Sequence, residues 1–219
     1  MIENFNRMSS HKLTASFFLR PDVIRISRDL LGKRLFSRIG KGCVTGGIIV
    51  ETEAYAGVQD RASHAYGNKV TARTEVMYRR GPVAYVYLCY GIHWLFNVIT
   101  NIKGVPHAVL VRAIQPVKGI DLMVERRGRK KSDYRITSGP GAVAQALGIH
   151  GCHSGESLLG RRIWLKEGLK LAPAMICASP RIGVSYAGKD ACLPWRFFIR
   201  GNAYVSQSAL NKKYKKNQS

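Results

Sequence analysis

Residues 84–90 (Ala-Tyr-Val-Tyr-Leu-Cys-Tyr) and 93–100 (His-Trp-Leu-Phe-Asn-Val-Ile-Thr) are two strand-like runs set around Gly91 and Ile92. Aromatic and β-branched side chains suit a pleated surface, and a glycine between two such runs permits a tight reversal. The pair predicts a β-hairpin with Tyr90, Gly91 and Ile92 at its tip. A hairpin alone is marginal in water and needs neighbours to pack on. The rest of the chain offers them. Ile48–Tyr55 is rich in β-branched residues and then acidic. Its alternation puts Ile49, Glu51, Glu53 and Tyr55 on one side and Ile48, Val50, Thr52 and Ala54 on the other. Ala108–Ile114 reads as a strand with Leu110 and Arg112 on one face. Strand character also begins near Leu35, and Ile163–Leu165 and Arg196–Arg200 are shorter runs of the same kind.

Helical signals flank these strands. Pro21–Leu31 opens on proline, has Asp22 in its first turn, repeats Val23, Ile26 and Leu30 on one side, and stops at Gly32. Gly119–Arg127 is a second helix, and Ala142–Leu147 a third, entered through Ser138-Gly139-Pro140-Gly141. Residues 56–80 form a polar, irregular stretch, and a loop that long inside a compact domain is more often functional than idle. The 219 residues suit one domain. Residues 1–18 are expected to be a flexible arm, 19–206 the domain, and 207–219 a basic tail.

The chain carries 35 Lys+Arg against 13 Asp+Glu, a formal net charge of +22. Such an excess repels itself unless an anionic surface neutralises it, and nucleic acid is the usual partner. Five scattered cysteines without a C-x-x-C pair argue against a disulfide framework and a zinc finger. No secretory signal or membrane-length apolar run is evident, so a soluble intracellular protein is expected, in the cytoplasm if bacterial and the nucleus if eukaryotic. No nucleotide-binding fingerprint, phosphate-binding loop or metalloprotease motif is present. No metal or other cofactor is expected.

Two carboxylates, Glu51 and Glu53, and one guanidinium, Arg112, occupy otherwise apolar strands. Burying a charge is costly unless it is paired. Either these strands are half-exposed with their charges in water, or a carboxylate–arginine pairing solves both problems. Such a pair also orients a carboxylate as a general base requires. At the hairpin tip, Tyr90 and Ile92 either fold back into the body or project as a wedge of the kind that unstacks base steps in a minor groove. Tyr55, Tyr85, Tyr87 and His93 are rings on which an extruded base could stack; each also suits ordinary strand packing.

Several runs, taken together and in order, resemble the alkyladenine (3-methyladenine) DNA glycosylases. They are Val50-Glu51-Thr52-Glu53-Ala54-Tyr55, Ala62-Ser63-His64, Thr71-Ala72-Arg73, Tyr85 to His93, Asn97, Val109 to Ala113, Ser138-Gly139-Pro140, Pro180 to Gly183 and Trp195 to Asn202. The resemblance extends from about Leu19 to Val205. It implies a single α+β domain built on a curved antiparallel β-sheet flanked by helices, with a protruding DNA-intercalating hairpin. It implies a monofunctional enzyme, without lyase activity, that flips alkylated purines, and possibly deaminated ones, from duplex DNA and hydrolyses the N-glycosidic bond. Glu53 matches the catalytic carboxylate, and Arg112 the arginine that helps hold the attacking water. Tyr55, His64, Tyr87, Asn97 and Leu110 match base-pocket residues, Asn97 being the one that screens purine substituents. Tyr90 matches the intercalating residue. Ile92 stands where methionine is also found, and His93 where some members have tyrosine. Glu51 is expected to be structural.

The implied partner is double-stranded DNA with damaged purines, read from the minor groove by a monomer; no membrane partner is expected. Arg73, Arg79, Arg80 and the basic run containing Arg126, Arg127, Arg129 and Lys130 are candidate phosphate contacts. The turn at Ser138–Gly141 could offer backbone N–H groups to a phosphate. Charge and wedge alone would also fit a non-catalytic protein that kinks DNA or RNA, or an enzyme acting on tRNA or the ribosome.

Overall fold

The structure, a computed structural model, describes residues 11–40, 42–130, 133–208 and 211. The order along the chain is α1 (Ala15–Phe18), α2 (Val23–Asp29), β1 (Arg34–Arg38), β2 (Val44–Tyr55), β3 (Val83–Cys89), β4 (His93–Thr100), β5 (His107–Lys118), α3 (Ile120–Arg126), α4 (Pro140–Leu147), β6 (Ile163–Lys166), β7 (Ile176–Ser179) and β8 (Arg196–Ile199). The eight strands make one antiparallel sheet in the order β3-β4-β5-β2-β1-β6, with β8 on β2 and β7 beyond it. This is an α+β domain whose sheet curls into a half-barrel.

β2 is the pivot. Its twelve residues pair with β5 along one edge, while the other edge forks. Val44 to Ile48 pair with β1, and Glu51 to Glu53 pair with β8. The β2–β5 register shifts on both sides of Glu51. Irregularities of this type bend a strand and tighten its twist, and here they fall at the fork, next to the two acids.

One face of the sheet carries the main core. Val23, Ile26 and Leu30 of the α2 region and Val143, Ala144 and Leu147 of α4 cluster with Val50, Ala54, Phe96, Val98, Val109 and Val111. Asp22 caps α2 by accepting from Arg25 N–H at 2.9 Å, which satisfies one of the donors that a helix start leaves open. Gly32 then turns the chain at φ +80°, where a Cβ would stand 2.5 Å from the Leu169 carbonyl oxygen. Leu13 and Phe18 belong to the same core. The packed body therefore includes residues that the sequence assigned to an arm ending at 18. Residues 1–10 of that arm, the tail beyond 211, and Lys131 of the basic run lie outside the described residues. The opposite face is covered by residues 56–80, which fold as short 3-10 turns around Ala65, Val76 and Met77. Among the described residues no helix is long and apolar enough to cross a membrane.

Candidate active site

A transverse row of register partners crosses the covered face of the sheet. Tyr85 of β3 faces Asn97 of β4, Asn97 faces Leu110 of β5, Leu110 faces Glu53 of β2, and Glu53 faces Arg196 of β8. Directly opposed residues share a face, so residues far apart in sequence are set side by side.

Glu53 is fully buried. Its Oε2 accepts from Tyr55 Oη at 2.9 Å. Its Oε1 accepts from the Ile182 backbone N–H at 2.8 Å and lies 3.2 Å from Arg112 Nη1. A carboxylate offers about four lone-pair sites, so three donors leave room for one more. Glu51 is enclosed more completely. Its Oε1 accepts from Arg112 Nε (2.8 Å), Arg196 Nε (2.8 Å) and Ser206 Oγ (2.7 Å), and its Oε2 from Ser206 N–H (2.6 Å). Burial works to raise the Glu51 carboxyl, but Arg112, Arg196 and the Ser206 bonds outweigh it and hold the group below the usual range. Arg112, which spans both acids, is pushed up despite its burial. The two charged strands are thus reconciled by one buried arginine shared between two glutamates.

In front of this group lies a cavity of about 810 Å³, within the span of about 300–1,000 Å³ common for ligand pockets. Tyr55, Arg112 and Ile182 all line it. Glu53 is not itself in the wall; it stands immediately behind these three partners. His64, Tyr85, Tyr87, Asn97 and Leu110 line the same space. His64 and Tyr87 meet edge to face at 4.6 Å, and Tyr85 and Tyr87 lie 5.3 Å apart. Asn97 Nδ2 donates to the Tyr85 carbonyl at 3.2 Å.

His64 Nδ1 is 2.8 Å from Tyr85 Oη, and Nε2 is 3.5 Å from an Arg73 nitrogen. Guanidinium only donates, so Nε2 is the acceptor and Nδ1 carries the proton. Burial, helped by Arg73, lowers the His64 pKa to about 4. Burial and then the charge of Glu53 push the Tyr55 phenol well up, and burial raises Tyr87 also.

The hairpin rises at the rim. Leu88, Cys89, Tyr90 and His93 line the cavity mouth. Tyr90 is 87% exposed and Ile92 71% exposed, so neither is folded back. Tyr90 and Gly91 have φ of +50° and +73°, and Ile92 N–H donates to the Cys89 carbonyl at 3.1 Å. That reversal forces a bulky L-residue into the left-handed region, normally avoided because Cβ crowds the carbonyl. Across the mouth, Gly141 at the start of α4 passes so near His93 that a Cβ would lie 2.9 Å from its ring.

The candidate phosphate contacts divide. Arg73 packs its guanidinium 4.8 Å over the Tyr87 ring and belongs to the cavity wall. Arg126 is turned inward, donating to the carbonyls of Ile39 (2.5 Å) and Ala146 (3.2 Å) and to Thr45 Oγ1 (3.3 Å). It is a strut between α3, α4 and β2, because those strand and helix ends leave carbonyls for it to satisfy. Arg127 bonds Gln145 and lines the cavity. Arg129 lies 3.9 Å from Asp133. Arg79 pairs with Glu75 at 3.6 Å on the surface; Arg80 and Lys130 are exposed.

Sequence reasoning gave no role to the Ile182 N–H, nor to the Arg181–Asp60 pair. Arg181 makes bonds of 2.6 and 2.8 Å to Asp60, donates to the Ala54 carbonyl at 2.9 Å, and stacks 4.8 Å from the Tyr55 ring. It fixes the segment that brings Ile182 to Glu53. A buried arginine facing a lone aspartate of the 56–80 loop was the available signal for Arg181; a backbone donor leaves none.

Residues 16–203 match the family model described as methylpurine-DNA glycosylase. The chain belongs to this family. It is 46% identical over 188 residues to a protein of Chlamydia felis with the provisional name 3-methyladenine DNA glycosylase, covering 85% of this chain and 95% of that one. Proteins with the same provisional name from Chlorobaculum tepidum (43% identical, 90% of this chain and 91% of that one) and Bacillus licheniformis (42%, 89% and 96%) are similar over comparable lengths. The family assignment agrees with the resemblance carried by the strand motifs.

Proposed function

We propose that this protein excises alkylated purines, 3-methyladenine among them, from duplex DNA by hydrolysing the bond between base and deoxyribose. The observation that carries this reading is the placement of Tyr55, Arg112 and Ile182, which hold Glu53 on one side and line the cavity on the other, with exposed Tyr90 on the same rim. A purine extruded into the cavity would be bounded by Tyr55, His64, Tyr85 and Tyr87, and Tyr90 would fill the gap left in the stack, entering from the minor groove with Ile92 and His93 beside it.

An alkylated purine departs readily because protonation or alkylation has already made it a good leaving group. As the glycosidic bond breaks, the sugar gains oxocarbenium character, which a nearby carboxylate stabilises. Water held at the remaining acceptor position of Glu53 attacks the anomeric carbon and gives its proton to the carboxylate. General-base help of this kind is worth about 10²–10⁴-fold. Arg112 and Ile182 fix the carboxylate, and Arg112 answers its charge. Among the described residues lining the cavity there is no lysine, which favours a monofunctional enzyme that leaves an abasic site. In our reading it acts as a monomer, Asn97 screens the exocyclic amino group of guanine, and exposed cations such as Arg80 and Lys130 neutralise phosphates. The turn at Ser138–Gly141, which lines the cavity, would offer backbone N–H groups to a passing phosphate.

The direct test is single-turnover base release from duplexes carrying 3-methyladenine, hypoxanthine, ethenoadenine or 7-methylguanine. Glu53→Gln should lose release of 3-methyladenine while keeping affinity for lesion DNA. Release at the wild-type rate would remove Glu53 from the reaction. DNA bending without release by the wild-type chain would favour an architectural role instead.

A further inference from the structure

The turn that follows α4 carries three ligating side chains within four residues, His150, Cys152 and His153. Their donor atoms lie within 4.8 Å of one another. Cys152 Sγ is 3.3 Å from His150 Nδ1 and 3.9 Å from His153 Nε2. Tetrahedral zinc, with bonds of about 2.0–2.1 Å to nitrogen and 2.3 Å to sulfur, sets its ligand atoms about 3.3–3.6 Å apart. The two sulfur–nitrogen separations bracket that spacing, and side-chain rotation would bring the three donors, all within 4.8 Å, onto one ion.

The supporting contacts point the same way. His153 Nδ1 is 3.1 Å from both the backbone N–H and the carbonyl of His150. With Nδ1–H donating to that carbonyl, Nε2 keeps its lone pair for a metal; Cys152 Sγ lies 3.7 Å from Nδ1 and 3.9 Å from Nε2. Metal-bound imidazoles are oriented in this manner by a backbone or carboxylate partner on the other nitrogen. His153 is buried, whereas His150 and Cys152 are exposed, so the cluster is backed by protein on one side and open to an incoming ion on the other.

We propose that His150, Cys152 and His153 bind a thiophilic transition-metal ion of the Zn²⁺ class, with solvent completing the coordination. One thiolate and two imidazoles select such ions over Mg²⁺ or Ca²⁺, which require oxygen ligands. The site is separate from the cavity. Its turn sits behind the hairpin: a Cβ on Gly151 would stand 2.6 Å from the Trp94 ring. Ser154 Oγ accepts from Val86 N–H at 3.3 Å, and Gly155 N–H donates to the Ala84 carbonyl at 2.8 Å. Trp94 occupies the face of β4 opposite to that of His93, Leu95 and Asn97. A bound ion would fasten the turn against the base of the projecting finger. The spacing H-x-C-H escaped the sequence reading, which looked for paired cysteines. The proposal is independent of base release.

The test is titration of the full-length, reduced, chelator-treated protein with Co²⁺ alone. One equivalent should produce a sulfur-to-cobalt charge-transfer band, and added Zn²⁺ should abolish it. Cys152→Ser should remove the band. His150→Ala should weaken binding by at least about tenfold, a loss seen even for partners one step removed from a metal. Both positions are exposed, and circular dichroism would verify that the variants remain folded. Cys43→Ser and Cys192→Ser, at the other exposed cysteines, should keep the band. Absence of the band in the wild-type protein, or its survival in Cys152→Ser, overturns the proposal and leaves a thiol–imidazole hydrogen bond in its place.

Discussion

Tyr55 Oη donates to Glu53 Oε2 across 2.9 Å, joining two side chains that alternate onto the same face of β2. Because burial and the adjacent carboxylate push the phenol well above its ordinary range, Tyr55 remains a donor throughout the physiological pH interval. The bond pins one oxygen of Glu53, while Ile182 and Arg112 pin the other. Tyr55→Phe deletes the pin and keeps the ring. Hydrogen bonds to charged groups are worth about 1.5–3 kcal/mol. Single-turnover base release should fall by about tenfold or more if that energy is lost from the oriented state, with lesion-DNA affinity nearly unchanged. An unaltered rate would show that the carboxylate is oriented without Tyr55.

The two glutamates should separate by phenotype. Glu51 answers Arg112 and Arg196 together and accepts from Ser206 twice. Glu51→Gln leaves Arg196 beside no anion in a fully buried site. Removing one partner of a buried pair costs about 3–5 kcal/mol, a large part of the roughly 5–15 kcal/mol that stabilises a domain. Thermal unfolding should drop by on the order of 10 °C. Glu53→Gln should unfold at a higher temperature than Glu51→Gln yet be the less active of the two at a temperature where both are folded. A reversed order would exchange their roles.

Tyr90 tests whether the finger serves the fold or the ligand. It is 87% exposed and holds φ at +50°. A left-handed L-residue carries a strain of about 1–2 kcal/mol, which glycine relieves, although glycine also gains entropy in the unfolded chain. Tyr90→Gly should therefore leave the urea midpoint the same or slightly higher. Base release from lesion duplex should nevertheless fall, because nothing would then fill the vacated stack. A destabilised variant with normal release would show that Tyr90 supports the turn instead.

What the sequence made legible was local. The two-residue period of β2 put Glu51, Glu53 and Tyr55 on one side, and the structure keeps them there. The charges in two apolar strands left two readings, half-exposed strands or a pairing of Arg112 with the acids, and the structure shows the pairing. The curled sheet came from the family resemblance, since no periodicity reports how a long strand forks between two neighbours. α1 and β7 are four residues each, too short to show a period. Arg126 looked like part of an exposed basic run, yet its guanidinium is drawn inward by the Ile39 and Ala146 carbonyls and the Thr45 hydroxyl, all remote in sequence. The Ile182 N–H reaches Glu53 across 129 positions and belongs to no side chain, so only the packing of the Arg181–Asp60 segment could reveal it.

His64 makes the pH dependence specific. Burial, with Arg73 assisting, depresses its folded pKa to about 4 from an ordinary value of 6.5. The sign follows from which state takes up the proton first. Above pH 6.5 the ring is neutral in both states, and its contribution to stability is fully present. Between 6.5 and about 4 the unfolded chain is protonated while the native chain resists, so stability is lost as pH falls. The melting temperature of the wild-type protein should decline over this interval more steeply than that of His64→Gln. The ring proton resonances of His64 should titrate with a midpoint near 4. A midpoint near 6.5 would mean that water reaches the ring and that burial does not hold His64 neutral.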